Sequence, residues 1–186
     1  MLSMIGNSST AIVVSSAITL DLLRGSDAAA LYHAVEQSRE HLSRSMPWER
    51  NIVDNASAKH YITQRLNSPL PGAKWFAIYF HSEFAGVFAI KHIDPHTQVC
   101  ELGYWLANIA RGHRVIDSIL AYIIPYLRAR EDVHFVHFHC LEDNLASINI
   151  AQRAGAVLKT KIANQLGVAK DTQYMCIYQL AIKVHT

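Results

Sequence analysis

The chain has 186 residues, enough for one compact domain, expected to span 1–186. Apolar residues make up 51% and the net charge is +2 with acids and bases interspersed, which excludes a disordered chain and a basic nucleic-acid binder. Cys100, Cys140 and Cys176 are odd in number, widely spaced and set in apolar runs, so they read as buried thiols of a reducing compartment rather than disulfides. No basic leader region and no membrane-spanning run is visible, so a cytoplasmic protein with no membrane partner is expected.

Residues from about Ser9 to Leu23 alternate and are rich in β-branched types, which predicts one or two strands interrupted near Ser15. Ser26 or Asp27 caps a helix to about Glu40, with Ala28, Leu31, Tyr32 and Val35 at helical spacing. Pro47 ends any helix before Trp48, a large apolar group in a loop. Trp48 reads either as a plug at the core edge or as one wall of a substrate cleft. Asp54 to Asn67 predicts a second helix with Tyr61, Ile62 and Leu66 buried.

The period then changes to two. Trp75 to Phe80 and Phe84 to about Lys91 form a hairpin, and Gln98 to Leu106 extends it into a meander. A loop around Gly112 leads into a helix from about His113 to Arg130, with Pro125 expected to kink it. Val133 to Cys140 is a strand, Glu142 to about Ala154 opens and runs as a helix, and Gly155 suits its C-terminal turn. Val157 to Ala163 and Tyr174 to Lys183 are the last strands, joined by a loop containing Gly167. The order is β-α-α-β-β-β-α-β-α-β-β, one mixed α/β sheet with a parallel crossover between Glu101 and Cys140.

A strand ending in a loop that feeds a helix N-terminus is a site for phosphate. The first-turn N–H groups have no intrahelical partner, and the helix dipole favours negative charge. Arg111, Gly112, His113, Arg114 and Val115 occupy that position. Glu101, at the start of the strand leading there, is a candidate general base, with a hydrogen-bonded structural carboxylate as the alternative. His137 and His139 share a strand face opposite His134, but no sequence-local carboxylate or cysteine joins them, so no metal is expected.

The segments Leu42 to Met46-Pro-Trp48, Phe76 to Ile90 with Gly86, Glu101-Leu-Gly-Tyr-Trp-Leu106 and Glu142-Asp-Asn-Leu-Ala-Ser147 running to Gly155 together resemble the GNAT superfamily of acetyl-CoA-dependent N-acetyltransferases. The likeness is to the ribosomal-protein N-terminal acetyltransferase group and covers most of the chain. It implies a mixed, mostly antiparallel sheet and acetyl-CoA as co-substrate. It further implies transfer to a small amine or a protein N-terminus, with monomer and homodimer both open. It implies Ser147 as the acid for the departing thiolate and Asn144 as a contact to the pantetheine arm, a role that can coexist with helix capping. Backbone groups of Leu106 and Ala107 would pair with that arm, and Trp48 and Tyr104 would line the acceptor side. The family's phosphate loop reads Gln/Arg-x-x-Gly-x-Gly/Ala, whereas this chain has Ile109-Ala-Arg-Gly-His-Arg114. Only Gly112 is kept, and Arg114 stands where a small residue is expected. Two alternatives therefore stay open: a non-catalytic binding or regulatory module, and an enzyme using another acyl-CoA.

Overall fold

A computed structural model describes residues 11–164 and 174–183. Its sheet has eight strands: β1 (Ile12–Val13), β2 (Ile18–Leu22), β3 (Lys74–Phe80), β4 (Glu83–Asp94), β5 (Val99–Leu106), β6 (Phe135–Leu141), β7 (Val157–Ala163) and β8 (Tyr174–Ala181). The helices are α1 (Ala28–Leu42), α2 (Asn55–Leu66), α3 (Val115–Arg128) and α4 (Leu145–Arg153). The spatial order is β1-β2-β3-β4-β5-β6-β8-β7. Among the described pairings only β5 with β6 is parallel. The element order expected from the sequence is present, with the first stretch divided in two near Ser15. The expected start at Ser9 and the Gly167 loop lie outside the described residues.

Two apolar clusters cover the two faces of the sheet. Val115, Ile116, Ile119, Leu120 and Ile123 of α3 pack with Phe88, Leu102 and Phe138 on one face. Leu31 and Val35 of α1 and Ala58 and Ile62 of α2 pack with Ala77, Val87 and Trp105 on the other. Alternation along β5 sends Trp105 and Tyr104 to opposite faces, as the period of a strand requires.

Several ends differ from expectation for local reasons. Asp27 does precede α1, but its side chain accepts from the N–H of Arg24, at 2.7 Å, and closes a short 3-10 turn. Pro47 begins a 3-10 turn over Pro47–Asn51, where its missing N–H costs nothing. Leu66 is exposed, and Ala58 takes its expected place in the buried stripe of α2. The helix α3 continues through Pro125 to Arg128.

Gly86 is required by close packing. A Cβ there would lie 2.1 Å from the carbonyl oxygen of Trp105, and its φ is +144°. The absent side chain lets β4 close on the end of β5 that leads to the functional loop.

Candidate active site

The parallel pair makes the site by coming apart. β5 and β6 pair from Val99 opposite Phe135 to Leu102 opposite Phe138, and no further. β5 continues to Leu106 and β6 to Leu141 without that partnership. Their unpaired ends line a cleft made of two cavities. The larger, about 650 Å³, is bounded by His41, Leu106, Arg111, Gly112, Ile116 and Leu145 among others. The smaller, about 340 Å³, is bounded by Trp48, Arg65, Trp75, Lys91, Glu101 and His139 among others. Both are lined by Met46, Tyr104, Trp105, Asn144 and Ser147, so these residues mark the junction.

The larger cavity ends at the start of α3. Gly112 has a φ of +81°, and a Cβ built there would meet nothing within 4 Å. Arg114 is also left-handed, at φ +57°, a conformation that costs a non-glycine residue about 1 kcal/mol. Glycine relieves that strain because it has no Cβ, which gives a backbone reason for the glycine of the family pattern. Ile109 is apolar because it packs against both cores. His113 stacks near Phe80, with ring centroids 5.0 Å apart, and Val115 is buried, so neither side chain reaches the cleft.

Charge around this loop is net positive. Asp117 in the first turn of α3 takes two bonds from Arg153, at 2.5 and 2.9 Å. That pairing holds its carboxyl below the usual carboxylate range. Arg114 lies 3.7 Å from the same carboxylate but is 68% exposed, and Arg111 lines the cavity itself. The loop is fastened to α1: the N–H of Asn108 donates to Ser38 Oγ at 3.0 Å, and Asn108 Nδ2 donates to the Gln37 carbonyl at 2.6 Å. Buried Ser38 is a site residue in this supporting sense, and only the tertiary fold reveals it.

Not every expected contact is open. The N–H of Ala107 donates to the Ala85 carbonyl at 2.8 Å. The carbonyl of Leu106 accepts from His41 Nε2 at 3.0 Å. Both groups are therefore engaged within the chain. Asn144 caps α4, its side chain accepting from the N–H of Ser147 at 3.2 Å, and it lines both cavities as well.

At the junction, Tyr104 Oη is buried with no hydrogen-bond partner among the described residues. Burial pushes its phenol far above the ordinary value, so it stays a protonated donor. Ser147 contributes a second hydroxyl there.

The smaller cavity carries the titratable groups. Glu101 is 8% exposed and is ion-paired with Lys91. His92 Nδ1 and His139 Nδ1 lie 3.5 and 3.7 Å from its two oxygens. The carboxylate missing near the histidines in sequence is thus supplied by the neighbouring strand. Burial lowers the His139 pKa, against a smaller raising effect of Glu101, which leaves the ring neutral at pH 7. His137 is tied to Gln179 Oε1 at 2.9 Å. Among the described residues no group of three or more His, Cys, Asp or Glu side chains is arranged to hold a metal ion.

Trp48 forms the opposite wall, with its ring centroid 4.6 Å from Tyr61 and 5.5 Å from Trp105. Its turn is braced by Arg39, which donates to buried Glu49 Oε2 at 2.6 Å and to the carbonyls of Glu49 and Ile52 at 2.8 and 2.7 Å.

A split sheet with an open helix N-terminus on one side and titratable groups on the other has the layout of a transferase that takes a CoA thioester. The chain belongs to the GNAT acetyltransferase family, whose domain matches residues 17–157. It is an N-acetyltransferase with acetyl-CoA as co-substrate. It is 24% identical over 149 residues to the ribosomal-protein-serine acetyltransferase of Escherichia coli strain K12, covering 80% of this chain and 83% of that one. Among solved structures, the coenzyme A complex of RimL, the ribosomal L7/L12 α-N-protein acetyltransferase, superposes with a TM-score of 0.82 at 22% identity, covering 92% of this chain and 97% of that one. The microcin C7 self-immunity acetyltransferase MccE, in complex with acetyl-CoA and AMP, gives 0.83 at 22% identity, covering 94% and 97%. None of the described helices is long and apolar enough to cross a membrane.

Proposed function

We propose that the chain acetylates a primary amine, namely the α-amine of a protein or peptide N-terminus. The observation that carries this reading is the junction at Tyr104 and Ser147. It joins a cavity with a phosphate-binding end to one with a base. The curated relative and RimL are named for acetylating N-termini or ribosomal proteins, which supports a protein acceptor.

The residues present fit acetyl-CoA. The N–H groups at the start of α3, Gly112, Arg111 and Arg114 would hold its phosphates, and Asn144 would meet the pantetheine arm. Bound there, acetyl-CoA supplies a thioester carbonyl for the amine to attack and a thiolate to release. Glu101 and His139 remove the proton from the incoming ammonium: the neutral imidazole accepts it, and the Glu101 carboxylate stabilises the imidazolium. The hydroxyls of Ser147 and Tyr104 donate to the departing thiolate. Trp48 and Trp105 exclude water from the acceptor side.

Steady-state CoA release with a peptide bearing a free α-amine, compared with the same peptide blocked at that amine, tests the proposal. Release with the free peptide alone is expected. Equal release with both would place the acceptor elsewhere.

A further inference from the structure

Besides the Glu101–Lys91 pair, the acceptor cavity contains a guanidinium that the transfer chemistry leaves unused. Arg65, in the last turn of α2, lines the cavity and lies among aromatic rings. Its guanidinium carbon is 3.2 Å from the Tyr61 ring centroid, 5.2 Å from Trp75 and 5.9 Å from Trp48. Nη1 donates to the Tyr61 carbonyl at 3.1 Å. Nε is buried with no partner among the described residues. Half-buried Arg39, by contrast, faces both Glu36 and Glu49.

A guanidinium removed from water and given no carboxylate is costly, and ring faces offset only part of that cost. Burial lowers the Arg65 pKa, and the influences that raise it come from the Tyr61 side chain rather than from a carboxylate. The acid that lines this cavity, Glu101, is paired with Lys91. The cavity therefore holds a planar, fork-shaped cation, a neutral imidazole and a neutralised carboxylate. The complement of that set is an amine with an anion close by.

Resting on the acceptor side proposed above, we infer that Arg65 is a specificity residue that binds a carboxylate carried by the acceptor near its reactive amine. The fork pairs with both oxygens of a carboxylate, and the aromatic rings around it keep water out. An acidic acceptor is then held at Arg65 while its amine meets His139 and Glu101. The amide analogue leaves Arg65 as it is in the free protein.

The chain's tryptophans, Trp48, Trp75 and Trp105, all line this cavity, so intrinsic fluorescence reports its occupancy without any turnover. Two matched pairs of probes distinguish a side-chain from an α-carboxylate: Ser-Asp-Ala amide against Ser-Asn-Ala amide, and serine against serinamide. Each is titrated into the protein with CoA present. In at least one pair the carboxylate probe is expected to bind about tenfold tighter or more. Arg65→Met keeps the packed stem and should remove that preference without weakening the amide probe. Arg65→Lys should keep only part of it. Equal affinities within both pairs in the wild-type protein would overturn the inference, as would a preference that survives Arg65→Met. If Arg65→Met does not fold, the wild-type pairs and Arg65→Lys decide. Selective binding without any acetyl transfer would sustain the role of Arg65 and overturn the N-terminal acetylation reading. Transfer without selectivity would do the reverse.

Discussion

His139 Nδ1 lies 3.7 Å from Glu101 Oε1, across the parallel pair formed by β5 and β6. The two are 38 positions apart in a chain of 186, and the pairing of Glu101 with His137 sets His139 two residues beyond direct opposition, on the same strand face. In the proposed transfer the imidazole is the proton acceptor and the carboxylate its counter-charge.

A rate dependence on pH follows from that pair. The reactive ring is neutral, so turnover falls as pH drops through the His139 pKa, which burial places below its usual value. Glu101 raises that pKa, so Glu101→Gln should move the acid limb to lower pH while lowering kcat by about 100-fold. A pH profile of kcat/KM for both proteins checks this. An acid limb that does not move would separate Glu101 from the titrating group.

Tyr104 separates stability from catalysis. Among the described residues its buried hydroxyl has no hydrogen-bond partner, so Tyr104→Phe should raise stability by about 1 kcal/mol, or Tm by about 2–4 °C. The same change removes a thiolate donor and should lower kcat by about tenfold or more. Ser147→Ala should slow turnover too, without unfolding the protein. Calorimetry and single-turnover rates measure both effects, and an unaltered rate in both variants would move the acid role elsewhere.

Arg114 is strained and positively charged, and these properties pull in opposite directions. Arg114→Gly should stabilise the free protein by about 1 kcal/mol by removing a left-handed arginine. Because Arg153 already holds Asp117, the Arg114 guanidinium is available to phosphate, so the same variant should bind acetyl-CoA several-fold more weakly. Calorimetric titration decides the point. Tighter binding by the variant would mean that the arginine obstructs the loop, and would favour the non-catalytic alternative.

Glu49 braces the Trp48 turn from inside the protein. Glu49→Ala leaves Arg39 with Glu36 and two carbonyls, so the loss should be about 1–3 kcal/mol by urea denaturation. Because Trp48 walls the acceptor cavity, KM for the amine should rise more than KM for acetyl-CoA. A uniform change in both would show that the turn does not shape the acceptor side.

Most of the fold was legible because its signals are local. Period-two runs gave the meander, and Asn144 and Gly155 marked the two ends of α4. Gly155 and Ala156 close that helix by donating to Gln152 and Ala151. Asp27 stands at the cap position of α1 as expected, but no spacing shows that its carboxylate binds backward to Arg24. Leu66 misled because helical spacing does not say how far a helix extends beyond its sheet. The lining of the candidate site was legible where a motif was contiguous, as at Gly112 and from Asn144 to Ser147. The pairing of His139 with Glu101, the brace from Arg39 to Glu49 and the placement of Arg65 among Tyr61, Trp75 and Trp48 depend on strands and helices meeting across the sheet. No local spacing encodes those contacts.

The central claim, acetyl transfer from acetyl-CoA to an α-amine, is tested most directly by mass spectrometry. A peptide with one free α-amine and no lysine is incubated with the protein and acetyl-CoA. One added acetyl group is expected, located at the N-terminus by fragmentation, with an equal amount of CoA released. An unmodified peptide beside protein that has bound acetyl-CoA would contradict it.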